Sequence, residues 1–185
     1  MADPHHVPEM DALDRATVVL YRTGIAISAL SLGLLAAAPF LPGVPAAIPR
    51  GMVLAGTALI VADLHLYDKR IRWVIGASAW VGAGLAFAGA TAPAAVAHWL
   101  AHAGLGFLFV SLSAIALKEQ FCFRIPLLRA VPALLAVSLV PLVLGATQLA
   151  TVFLAPAALV FAAMGVAKAR MPLHYDIGNK AAYQV

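Results

Sequence analysis

The chain has 185 residues, 63% of them hydrophobic and 11% charged, with a mean hydropathy of +0.95. A soluble domain of this size cannot cover so much apolar surface, so composition excludes a water-soluble globular protein and makes lipid the main solvent. The formal net charge of +4 would suit nucleic acid in a soluble protein; here the basic residues are first a matter of topology, and no nucleic-acid partner is expected.

The opening MADPHHVPEMDALDR is polar and acidic, without the basic region and small-residue cleavage site of an export signal, so the first apolar run is expected to be a retained span. A helix needs about 20 apolar residues to cross a bilayer. Six stretches meet or approach that length, predicting an all-α, polytopic transmembrane bundle of about six helices in a single domain. The first span covers roughly 16–40 and stops at the proline-rich FLPGVPAAIP. The second covers roughly 51–67, the third roughly 71–90 and the fourth, after ATAP, roughly 95–117. The fifth, roughly 127–144, is short and carries Pro132 and Pro141, with LLRAV before it expected along the interface. GATQ then leads to the sixth, roughly 149–167.

Charge tests this map. Ten of the twelve basic residues fall in the tails 1–15 and 168–185 or in the connections after spans two and four; Arg50 falls on the opposite side and Arg22 within span one. The positive-inside rule then puts both termini in the cytoplasm. It also explains ALKEQFCFRIP, residues 116–126, as a cytoplasmic turn whose Lys118 and Arg124 orient the neighbouring helices.

Some residues ask for more than topology. Arg22 and Asp63 lie at similar depth in spans one and two, and ionisable residues inside spans usually pair. They are expected to approach each other, or to share a polar cluster with Tyr21, His65 and Tyr67; the alternative for Arg22 is snorkelling to the headgroups. His98 and His102, one turn apart around Trp99, can share a metal or hold a haem or chlorophyll-type pigment, or simply anchor the helix at the outer surface. His65, near the inner surface, is a separate candidate ligand, too distant to complete a three-histidine site. Cys122, between Lys118 and Arg124, is a candidate thiolate, against the alternative of a cysteine packed between Phe121 and Phe123. Gly82, Gly84, Ala86 and Ala88 supply the small surface that closely packed membrane helices need. The chain carries no phosphate-binding loop or hydrolase motif, and no ionisable residue near the middle of a span, where proton-coupled transporters usually place one.

Four pieces in order, YRTGI at 21–25, HLY at 65–67, KEQFCF at 118–123 and DIGNK at 176–180, resemble a family of small bacterial and cyanobacterial integral-membrane proteins of unknown function. That family carries YR-x-G, H-x-Y, KE-x-FCF and DIG-[DN]-K elements. The resemblance implies a bundle of about six helices and gives Glu119 and Cys122 a part beyond orientation. It also suggests that the turn is fixed against the tail, with Lys118 or Arg124 pairing Asp176. The family's association with phototrophs suggests a photosynthetic or electron-transfer complex as host. The leading expectation is a non-enzymatic accessory subunit or assembly factor of a larger membrane complex. A pigment- or haem-binding protein follows, then a small channel or transporter, then an integral enzyme. The expected location is the bacterial cytoplasmic membrane, or an intracytoplasmic membrane continuous with it, with lipid and other membrane subunits as partners.

Overall fold

Asp11 starts the first helix. Its carboxylate accepts from the Asp14 N–H at 2.8 Å, and Asp14 returns the bond to the Asp11 N–H at 3.0 Å, a reciprocal cap for donors that the helix leaves unpaired. The computed structural model describes residues 9–123, 125–180 and 183. Every regular element among them is helical: α1 (Ala12–Ala37), α2 (Ala47–Ala62), α3 (Lys69–Thr91), α4 (Ala94–Phe123), α5 (Val131–Val143), α6 (Thr147–Ala169) and the single turn α7 (His174–Ile177). Tight 3₁₀ turns at Ala38–Phe40 and Pro126–Ala130 extend α1 and precede α5.

α1 is central to the packing, lying against α2 on one side and α6 on the other, while α3 pairs with α4 and α5 joins α4 to α6. Leu32, Val53, Ile60, Leu112, Leu135 and Phe161 meet in the fully buried core. The outside is apolar as well: Trp73, Trp80, Phe87, Leu144 and Leu159 are each more than two-thirds exposed. Helices that are apolar all round belong in lipid. Five segments among the described residues are long and apolar enough to cross a membrane, namely Ala12–Phe40, Lys69–Thr91, Ala94–Phe123, Pro126–Val143 and Thr147–Ala169. The start of α1 and the segment after α7 share one end of the bundle, where Lys180 pairs with Asp14 at 2.5 Å.

Three expectations change. The second span was expected over 51–67, yet α2 is 16 residues long and ends at Ala62. It begins earlier because Pro49 sits in its first turn, where a missing N–H costs nothing. It ends at Asp63, whose backbone leaves the helical region, and Asp68 then caps α3 by accepting from the Arg70 and Ile71 N–H groups at 2.8 and 3.1 Å. At 1.5 Å per residue α2 is about 24 Å long, short of a hydrocarbon core of about 30 Å. His65 and Tyr67 therefore sit in a connection, not on a helix end.

The fourth helix runs past its expected end at 117 to Phe123, so most of ALKEQFCFRIP is helix and not turn. Nothing in LKEQFCF breaks a helix; the stop comes at Ile125, extended because Pro126 follows it. The small-residue stripe on α3 is real but differently composed. A Cβ on Gly82 would lie 2.9 Å from the Gly104 carbonyl oxygen of α4, and one on Gly89 would lie 3.0 Å from the Ala101 nitrogen, whereas Gly84 faces open space. Positions 82, 86 and 89 follow the helical repeat; 82, 84, 86 and 88 do not. Replacing Gly82 by valine is expected to destabilise the protein by about 1–3 kcal/mol, because two backbones must separate, while Gly84→Val changes little. Thermal melts in detergent check the contrast.

Candidate functional site

The four sequence pieces converge at the end of the bundle where α1 starts and α4 and α6 finish. Tyr21 and Arg22, adjacent on α1, point about 100° apart and so reach different partners. The Tyr21 hydroxyl donates to Glu119 Oε1 at 2.6 Å, with both side chains fully enclosed. Arg22 goes to the tail. Its Nε and Nη2 donate to Asp176 Oδ2 at 2.8 and 2.6 Å, Nη1 to the Met171 carbonyl at 2.8 Å and Nη2 also to the Pro172 carbonyl at 3.1 Å.

Lys168, in the last turn of α6, joins the two halves. Its Nζ donates to Glu119 Oε2 at 2.6 Å and pairs with Asp176 Oδ1, and only 2% of its side chain is exposed. Lys118 completes the cluster, donating to Glu119 Oε1 at 2.9 Å and to the Tyr21 hydroxyl at 3.1 Å, with its ammonium 4.7 Å from the centre of the Tyr21 ring. Three cations and two carboxylates thus form one connected network across α1, α4, α6 and α7. Such a network is costly to desolvate, and it holds only because every carboxylate oxygen meets a cation or hydroxyl.

The HLY and DIGNK pieces form a strap beside it. Gly178, at φ 62°, turns the chain after α7 in a conformation that a Cβ would strain. The Asn179 N–H then donates to the Tyr67 hydroxyl at 2.9 Å, and the Tyr183 hydroxyl to the Ile177 carbonyl at 2.5 Å. The Tyr183 ring lies 5.0 Å from Tyr67 and 6.3 Å from His65. Burial lowers the His65 pKa and raises that of Asp63, whose carboxyl is also felt by the His65 imidazole.

Between strap and bundle lies a cavity of about 430 Å³. Lys118, Lys168 and Asp176 line its polar side, Leu66, Ile71, Ile75, Ala114 and Leu117 its apolar side, and Cys122 its rim. Ile71 and Leu117 are 52% and 40% exposed, so this apolar side reaches the outer surface of the bundle.

The sequence-based expectations fare unevenly. Arg22 finds its carboxylate in Asp176, not in Asp63: the tail folds back over α1, whereas Asp63 lies where α2 has already left the helical conformation. The expected pairing of Lys118 with Asp176 is replaced by Lys118 with Glu119 and Lys168 with Asp176. Arg124 lies outside the described residues. Cys122 is a free, exposed thiol.

At the opposite end His98 and His102 do meet, with ring centres 4.3 Å apart. Arg50 only donates, so its Nη2 contact at 3.1 Å makes His102 Nε2 the acceptor; His102 Nδ1 then donates to the His98 carbonyl at 2.7 Å. His98 Nε2 donates to the Val143 carbonyl at 2.9 Å. While these bonds stand, His102 offers no lone pair to a metal or porphyrin. No group of three metal-ligating side chains occurs among the described residues.

Lys168 is the residue that sequence reasoning missed as a site member, having been assigned to topology. No separate signal marks it, because a basic residue at the end of a span already satisfies the topology rule.

A protein of Haemophilus influenzae (strain ATCC 51907 / DSM 11121 / KW20 / Rd), named "Uncharacterized protein", is 34% identical over 185 residues, all of both chains. No solved structure matches. Residues 53–185, which include every helix from α3 onward and three of the four converging pieces, match a family model, and the chain belongs to the family described as "Uncharacterized integral membrane protein (DUF2301)".

Proposed function

We propose that this protein works by binding and not by chemistry, holding a small ligand in the cavity beside the Glu119–Lys168–Asp176 network. The cavity itself carries the reading. It joins a polar, ion-paired floor to an apolar wall open toward lipid, the composition expected of a ligand pocket with a few convergent polar groups. Both carboxylates are saturated by cations, which suits them to holding structure and not to exchanging protons with a substrate. The basic side chains at this end favour the cytoplasm for it, in the bacterial cytoplasmic membrane or one continuous with it. Protein purified from its own membranes is expected to carry a stoichiometric small molecule by native mass spectrometry, and Ala114→Trp, which fills the cavity, to lose it. An empty wild-type protein would sink the reading.

A second reading, an accessory subunit or assembly factor of a larger membrane complex, rests on α3. Trp73, Trp80 and Phe87 recur every seventh residue on its outer face, 72%, 76% and 74% exposed. Trp80 stands midway along the helix, away from the headgroup depth where tryptophan normally anchors. The apolar helix of a neighbouring subunit would cover that row. Extraction in mild detergent with the visible spectrum recorded separates the possibilities: co-migration with a large species that Trp80→Ala disrupts supports the subunit, and a colourless particle of its own size does not.

A further inference from the structure

The network by the cavity is unbalanced, and the imbalance names the ligand. Among the described residues the carboxylates paired with Arg22, Lys118 and Lys168 are Glu119 and Asp176, which leaves one positive charge in excess. Hydrogen-bond capacity tells the same story. Glu119 accepts from Tyr21, Lys118 and Lys168, Asp176 Oδ2 accepts from Arg22, and Asp176 Oδ1 is ion-paired with Lys168, so every carboxylate oxygen already faces a cation. An ammonium has three donors. Lys118 uses two, on Tyr21 and Glu119, and Lys168 uses two, on Glu119 and Asp176. Among the described residues each lysine keeps one donor, and both line the cavity. What the site lacks is therefore an acceptor with negative charge.

The rest of the cavity specifies what carries that charge. Ile71 and Ile75 from α3 and Ala114 and Leu117 from α4 lie one helical turn apart in pairs, giving an apolar wall that runs away from the lysines along the two helices. Its outer edge is exposed where lipid lies. A free inorganic anion would use the lysines and leave the wall bare. A neutral lipid would use the wall and leave both donors and the excess charge unmet, a costly outcome beside groups this deeply buried.

We propose that the cavity binds the anionic head group of an amphiphile, a phosphate or carboxylate, against Lys118 and Lys168, with its hydrocarbon body along Ile71, Ile75, Ala114 and Leu117. This rests on the binding reading given above. A ligand of this kind supplies the missing negative charge, accepts from both lysines and enters sideways from the bilayer. The ligand-bound cluster then has three cations against three anions.

The test uses the full chain, delipidated in a neutral detergent, with four probes: lysophosphatidic acid, oleate, the uncharged monoolein and inorganic phosphate. Lysophosphatidic acid and oleate are expected to raise the melting temperature with concentration, as ligands of the folded state do. Monoolein and phosphate are expected to leave it unchanged. Lys118→Gln keeps a hydrogen-bonding side chain but removes a charge, and is expected to weaken oleate about tenfold. Ala114→Trp occupies the body of the cavity without touching the ion pairs, and is expected to abolish the shift. Monoolein acting as well as oleate, or Lys118→Gln binding oleate like wild type, would overturn the proposal. Phosphate acting as well as lysophosphatidic acid would overturn the membrane source and assign the site to a soluble anion. If no anionic probe binds while protein from native membranes still carries a molecule that Ala114→Trp displaces, the binding reading survives and the anionic class fails. If neither is seen, both fail.

Discussion

Glu119→Gln is expected to destabilise the protein by about 3 kcal/mol, measured as a lower unfolding midpoint in detergent. Removing one member of a buried ion pair typically costs about 3–5 kcal/mol, because the partner is left charged and unpaired. The lower end applies here because neither lysine is stranded alone. Lys168 keeps Asp176, and Lys118, with 16% of its side chain exposed, can extend toward the aqueous edge. What cannot be relieved is the crowding of two ammonium groups whose common counter-charge has gone, around a Tyr21 hydroxyl that must share a single neutral amide oxygen with them. The partner variant sharpens the test. Lys168→Met leaves Glu119 with Lys118 and Asp176 with Arg22, and its apolar chain fills the same space. The double variant Glu119→Gln, Lys168→Met is therefore expected to be more stable than the two single losses added together, with a coupling of about 1–3 kcal/mol. Strict additivity would mean that Glu119 acts through something other than this ion pair.

Much of this arrangement is legible in the sequence, but not all by the same signal. Long apolar runs are a strong and local signal, which is why α1, α3, α4 and α6 lie close to where composition puts them. Ends are weaker, since they depend on single residues: α2 stops at Ala62 and Asp68 caps the start of α3, which cuts the second span short, and the absence of any breaker before Pro126 lengthens the fourth. The polar residues of the site can be picked out one by one, because ionisable groups in an apolar chain are few. Arg22, Lys118 and Glu119 emerge that way, Tyr67 as a neighbour in the expected polar cluster, and Asp176 only through the family resemblance. Their pairing cannot. Which carboxylate Arg22 meets depends on where the chain after α6 returns, and Asp176 lies 154 residues away in sequence. Asp63, at the right depth and charge, was the plausible partner and the wrong one. Lys168 shows the converse difficulty: a basic residue at the end of a span satisfies the topology rule so readily that its second role, between two buried carboxylates, leaves no separate trace.

Asp176→Asn is expected to release the C-terminal strap while leaving the helices in place. Three of the contacts that hold the segment from α7 to Lys180 differ in magnitude. The Lys180–Asp14 pair lies at the surface with Lys180 half exposed, a setting in which ion pairs contribute about 0–1 kcal/mol. The bond from the Asn179 N–H to the Tyr67 hydroxyl is a neutral hydrogen bond of about 1 kcal/mol. Asp176 is different, with 2% of its side chain exposed and both oxygens committed to Arg22 and Lys168. Neutralising it costs about 3–5 kcal/mol locally and leaves two cations facing each other under the strap. Amide exchange reads this directly, since the Asp176 and Gly178 N–H groups donate to the Leu173 and His174 carbonyls only while the turn is formed. Asp176→Asn is expected to speed exchange of these amides about a hundredfold or more, whereas Lys180→Ala changes it less than about fivefold. Because Tyr175, Ile177, Gly178 and Tyr183 form one wall of the cavity, the same variant is expected to open that cavity to water. Equal exchange in the two variants would show that the strap is held from its surface and not from the buried network, and would remove the mechanical link between the tail and the cavity.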